Sequence, residues 1–247
     1  MPFRRIAILP VLVSAVCGLL LAQMAVRDAR FFFPLALVVL TTLLPMVLAR
    51  HRMRKLFHSG DVHRVLESWR RSIERVMYPE TMAPLMIATA YASYGWTEAA
   101  RGALGKAHKG PAWDAALEQR LFVETLLDTF EGDAPSALAK ATALVHLPVP
   151  SVGLWSRRRV TKLRDGVVAM VRAFQHTSHD GDTKALREAA KISPLVHWAM
   201  RYAEAIVAID HGSTVKARAL LERAPEWPKE SAFRSFDDEI RSRLAAL

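Results

Sequence analysis

The chain has 247 residues, with 34 Lys and Arg against 24 Asp and Glu, a formal charge of +10 and a single cysteine. One thiol excludes an intrachain disulfide framework, and a hydrophobic share of 51% excludes a disordered, fully solvated polymer. The charge would suit a nucleic-acid binder, but residues 1–55 hold eight of the basic residues and one acid, which is most of the excess, so no nucleic-acid partner is expected.

The first elements are two apolar runs, 6–26 and 31–49, separated only by Arg27-Asp28-Ala29-Arg30. A hydrocarbon core of about 30 Å takes about 20 helical residues, so each run is long enough to cross it. A four-residue link makes the second run return beside the first, and residues 1–55 read as a transmembrane helical hairpin. Arg4 and Arg5 precede it, and Arg50, Arg52, Arg54 and Lys55 follow it, outweighing the charge at the tip. The positive-inside rule then predicts a two-pass protein of the plasma (inner) membrane with both termini cytoplasmic. Ala22-Gln23-Met24-Ala25 offers no leader-cleavage site, so the first run is expected to stay as a span, with Cys17 as a small apolar residue within it.

Residues 56–247 are rich in Ala, Leu, Arg and Glu and show no sustained alternation of period two, which predicts one helical domain and an all-α protein. Within it a triplet recurs: Gly95/Ala100/Pro111, Gly132/Ala137/Pro148 and Gly212/Ala217/Pro228 share one spacing, and Gly60-Asp61 and Gly181-Asp182 are degenerate copies. The glycine suits a tight turn of positive φ between antiparallel helices, the alanine lets the second helix approach the first, and the proline is expected to end it. Such hairpins bury their apolar faces by stacking, so the expectation is an α-solenoid. Asp61 to Met77 reads as an unpaired second helix, whose missing partner would be the continuation of the second membrane helix to His58. Pro84 is expected in a first helical turn, and Ser231 with Asp237-Asp238-Glu239 is expected to start a short last helix ending at Leu247, a polar cap.

Ile87-Ala88-x2-Tyr91, Gly95, Ala100-x3-Leu104, Ala107 and Pro111 resemble the skeleton of the tetratricopeptide repeat (TPR), and the copy around Gly212 keeps Ala217-x3-Leu221 and Ala224. The resemblance covers about residues 59–228. It implies a concave groove, lined by the first helix of each repeat, that receives a peptide or partner helix. Carried onto this chain, the groove positions are Met82, Leu85, Thr89, Ser93, Gln119, Phe122, Leu126, Phe130, Tyr202, Ile206 and Asp210. Of these, Met82, Thr89, Ser93, Gln119, Phe130, Tyr202 and Asp210 are the candidate partner contacts, while Leu85, Phe122, Leu126 and Ile206 also suit a core. The Lys/Asn clamp for a carboxylate tail is missing. The layout is also similar to that of the bacterial membrane proteins associated with haem biosynthesis, whose role does not carry over from layout alone.

A second candidate surface is Trp155-Ser156-Arg157-Arg158-Arg159-Val160-Thr161-Lys162-Leu163-Arg164. Trp155, Arg157, Arg158, Arg159, Lys162 and Arg164 form a basic patch that suits anionic lipid or an acidic partner. Catalytic chemistry has little footing. His176-x2-His179-Asp180-x-Asp182 falls where a repeat turn is expected and reads as turn rather than metal site. Gly102-x2-Gly105-Lys106-Ala107 has the wrong spacing, and no Ser or Thr, for a phosphate loop. The chain therefore reads as no enzyme, with no cofactor and no metal. It reads as a membrane-anchored scaffold that binds a protein partner through TPR-like repeats. The alternative is a structural subunit of an envelope, secretion or motility complex that assembles through the hairpin.

Overall fold

The computed structural model describes Gln23, Arg30 and residues 32–149 and 153–246, so the first predicted span and the hairpin tip, apart from those two residues, lie outside the described residues. The chain divides into two compact units, Met1–Lys55 and Leu56–Leu247.

In the first unit the described structure is helix α1, Phe32–His58, whose last three residues belong to the second unit. Its stretch Phe33–His58 is long and apolar enough to cross a membrane, and none of its most apolar window is buried within the protein. Phe33, Leu37, Leu40, Leu43 and Val47 are all more than half exposed. In water such a helix would leave its apolar side chains unburied, whereas lipid solvates them and its backbone satisfies itself. The apolar run ends near Ala49 but the helix continues nine residues further, through a segment in which Arg50, Arg52, Met53, Arg54, Lys55 and Leu56 are good helix formers.

The second unit is helical throughout its described residues, with no strand among them. Helix α2 (Val62–Ile73) is capped by Asp61, whose carboxylate accepts from the Arg64 N–H at 3.1 Å. There follow α3 (Pro79–Ser93), α4 (Thr97–Gly105), the short α5 (Pro111–Ala115), α6 (Leu117–Glu131), α7 (Ala134–His146), α8 (Leu154–Phe174), α9 (Asp182–Ile192), a 3₁₀ turn at Pro194–Val196, α10 (His197–Asp210), α11 (Thr214–Leu221) and α12 (Ala232–Ala246). Helices α3/α4, α6/α7, α8/α9 and α10/α11 pack as consecutive pairs. The first members also touch in sequence, α3 on α6, α6 on α8 and α8 on α10.

The expected turn glycines Gly60, Gly95, Gly132, Gly181 and Gly212 all have positive φ. Gly95, at +74°, is doubly constrained, because a Cβ there would also lie 3.0–3.2 Å from Ser231 and the main chain of Ala232 and Phe233. Ala100, Ala137 and Ala217 are buried in the second helices. One of the three prolines behaves as expected: α7 ends at His146 and Leu147 is extended immediately before Pro148. The other two differ, because α4 ends at Gly105, well before Pro111, which instead starts α5, and Pro228 lies well beyond the end of α11. Pro84 lies past the first turn of α3, which begins at Pro79. Its ring removes the donor to the Glu80 carbonyl, and the His108 N–H supplies it instead at 3.1 Å.

Helix α12 is no polar cap. Phe233, Ile240 and Leu244 are buried, at spacings that put them on one helical face with the half-buried Phe236. The core runs continuously from Val62 and Val65 through all four helix pairs to these residues.

Candidate functional site

The first helices line the face on which a partner was expected, and α12 lies on it. The Phe233 ring sits 5.2 Å from Phe130 of α6, stacks on Tyr202 of α10 at 5.2 Å, and meets Trp227 edge-on at 4.9 Å. Phe236 lies 5.0 Å from Phe174 of α8 and 5.9 Å from Phe130. The Tyr202 hydroxyl donates to Asp237 at 3.2 Å and accepts from the Trp227 indole at 2.7 Å. Burial and the neighbouring Asp237 charge push the Tyr202 phenol well above its ordinary pKa, so it stays a neutral donor.

This placement corrects the candidate groove. Thr89, Ser93, Phe130 and Tyr202 are buried and are core residues rather than open contacts. The two hydroxyls tolerate burial by donating back along α3, Thr89 to the Leu85 carbonyl and Ser93 to that of Thr89, both at 2.7 Å. Gln119 is half-buried and donates to the Thr89 hydroxyl at 3.2 Å, which joins α6 to α3. Met82 is half-buried and Asp210 exposed. Of the other positions, Leu85 and Leu126 are buried, and Phe122 and Ile206 half-buried against the core.

Buried carboxylates fasten the pairs to one another, a feature the sequence did not single out. Asp128 of α6 accepts from Arg101 of α4 at 3.0 Å and from Ser136 and Lys140 of α7 at 2.6 and 2.7 Å. Burial opposes its ionisation, but these hydrogen bonds prevail and hold the carboxyl below the ordinary range. Glu204 of α10 accepts from Arg187 of α9 at 2.6 Å, with Lys216 of α11 at 3.9 Å. Arg101 and Arg187 stand at the same distance beyond their turn glycines, Gly95 and Gly181, so the two clamps use one position of the recurring unit. Asp182 is closed by Arg172 and by the His179 N–H, which explains the His/Asp run around residue 179 without a metal.

The basic segment forms the start of α8. Trp155 is 83% exposed, and Arg157, Arg158 and Arg159 are exposed. Lys162 pairs with Glu188 at 2.9 Å. Arg164 does not belong to the surface patch: it is 3% exposed, bound to Glu118 at 2.9 Å and donating to the carbonyls of Leu147 and Pro148. It anchors the connection after α7.

A cavity of about 310 Å³ opens where α6, α8, α10 and α12 meet, with Phe130, Phe174, Ile206 and Phe236 among its walls. At its rim His176, at a φ of 55°, places Nδ1 2.9 Å from Asp210. Elsewhere His58 and His197 stack at 3.9 Å, and burial, with His58 and Arg201 nearby, lowers the His197 pKa to about 3. Among the described residues no three His, Cys, Asp or Glu side chains come together as a metal site.

Comparisons with family models, with curated proteins and with solved structures found no match. The fold and the site geometry are therefore what carry a functional reading.

Proposed function

We propose that the chain is a membrane-tethered, non-enzymatic scaffold. In this reading residues 1–55 insert as a two-pass hairpin with both termini in the cytoplasm, and residues 56–247 form a TPR-like α-solenoid that gathers a protein partner. The observation that carries the reading is the recurrence of helix pairs turned by glycines of positive φ, with successive first helices in contact. The exposed apolar helix α1 supports the tether. The buried acids Asp128, Asp182 and Glu204, each closed by Arg or Lys, support structure rather than catalysis as their role.

Because α12 covers the inner face, recognition in this reading falls to surface that remains open. Met77 and Tyr78 are 70% and 65% exposed at the entrance to α3, close in sequence to Met82, and Tyr78 holds a φ of 55° that a non-glycine residue adopts only under constraint. Together they offer a partner a rigid apolar knuckle. The test is affinity capture from detergent-solubilised membranes with the full chain, with Met77→Ser/Tyr78→Ser, and with a chain lacking residues 1–55. The scaffold reading expects the partner to be lost with the double substitution and kept on removal of residues 1–55. Loss on removal of residues 1–55 alone would instead mean assembly through the hairpin.

A further inference from the structure

We propose that the first two turns of α8 form a docking surface for the anionic headgroups of the bilayer to which the chain is tethered. The inference rests on the membrane attachment proposed above and adds a second, reversible contact.

Three observations converge. Among the described residues Trp155 is the most exposed large apolar side chain, at 83%, and an indole with an apolar body and a polar N–H belongs at a membrane–water boundary. Arg157 and Arg158 follow it, exposed, and among the described residues no carboxylate pairs with either guanidinium, although Asp165 and Glu188 line the same shallow cavity; Lys162 is already paired with Glu188 and Arg164 is buried. The helix also begins with no acidic residue in its first turn and no side-chain cap at Gly153, so among the described residues no side-chain anion balances its positive dipole end beside the arginines. Positive charge at that end is unfavourable unless an anion is present. A phosphate-bearing surface supplies the anion, and Trp155 enters the boundary layer beside it.

Each basic residue close to an anionic leaflet contributes about fivefold in partitioning, so Arg157 and Arg158 contribute about 25-fold together. Alone that is a weak association. In a tethered chain the bilayer is at an effective concentration in the millimolar range, where a weak contact is populated. Phosphatidylcholine carries no net charge and would leave the segment in water.

The test uses the full chain with Cys17→Ser and Ser156→Cys, carrying a nitroxide at position 156, reconstituted in vesicles of phosphatidylcholine with or without phosphatidylserine. Accessibility to lipid-soluble oxygen, measured against a water-soluble nickel chelate, should rise only with phosphatidylserine. The rise should fall back in strong salt, vanish in Arg157→Glu/Arg158→Glu and persist in Arg157→Lys/Arg158→Lys, with circular dichroism confirming that each variant is folded. Equal accessibility in both lipids, or a rise that survives the glutamates, overturns the docking surface. Flotation with phosphatidylcholine vesicles in strong salt reads the tether separately. A chain that does not float overturns membrane attachment and this proposal with it, while one that floats with an unresponsive label overturns the docking surface alone.

Discussion

Ser231 donates its hydroxyl hydrogen to the main-chain carbonyl of Tyr94 at 2.7 Å, across 137 residues of chain. The Ala232 N–H reaches the Gly95 carbonyl at 2.8 Å beside it, so α12 begins where α3 ends. The Trp198 indole likewise donates to the His58 carbonyl at 3.1 Å, so a residue of α10 satisfies one of the last carbonyls of α1. The last helix is thus locked onto the turn between α3 and α4, the first helix pair, and the face that could have stayed open is filled from within.

Phe233 tests that closure. It is fully buried among Phe130, Tyr202 and Trp227, and truncation to alanine would leave a cavity with little freedom to collapse. Phe233→Ala should destabilise the second unit by about 3–5 kcal/mol in denaturant unfolding. If α12 were a solvated cap, the loss would be a few tenths.

Two glycines in helices should respond in opposite directions. A Cβ on Gly166 would lie 2.3 Å from the Ala189 Cβ and 3.2 Å from the Ala185 carbonyl, where α8 presses on α9. That overlap outweighs the gain in helix propensity, and Gly166→Ala should cost about 1–3 kcal/mol. Gly102, within α4, has nothing within 4 Å of such a Cβ, and Gly102→Ala should stabilise by about 0.5–1 kcal/mol. Melting temperatures of the two variants should move apart.

Asp128 holds α4 and α7 to α6 through Arg101, Ser136 and Lys140. Asp128→Ala removes the buried acceptor, while Arg101 keeps Glu131 and Lys140 keeps Glu124, and should cost about 1–3 kcal/mol. Asp128→Asn keeps the shape but not the charge and should cost less. An equilibrium unfolding series separates the two.

Acid should weaken the fold through His197. Its folded-state pKa is lowered to about 3, while an unfolded histidine titrates near 6.5. Between these values the unfolded chain binds the proton and the folded one does not, so stability falls as pH falls from about 6.5 toward 3. The stacked His58 and nearby Arg201 both oppose a charge there. His197→Phe should flatten that part of the pH–stability profile, leaving the later loss from Asp128, whose lowered pKa places its contribution at more acid pH.

The helical nature of the chain and its turns were legible because the signals are local. A glycine at the point of reversal and an alanine where helices approach leave a mark on spacing alone, and all five marked glycines adopt positive φ. The site was less legible because its determinants are distant in sequence. Thr89 and Ser93 read as polar contacts, yet backbone acceptors within their own helix let them go inside. Arg164 read as one of five basic residues within eight positions, while its acceptors, Glu118 and the Leu147 carbonyl, lie up to 46 residues away. The stripe Phe233, Phe236, Ile240 and Leu244 was present in the sequence and marks α12 as a packed helix, but Asp237-Asp238-Glu239 suggested a solvated end.

Protease protection in sealed membrane vesicles of both orientations tests the central claim most directly. The account predicts that residues 56–247 are digested only when the cytoplasmic face is outward, leaving a protected, carbonate-resistant fragment of about 50 residues that contains both apolar runs. Digestion of residues 56–247 from the opposite face, or release of the whole chain by carbonate, would contradict it.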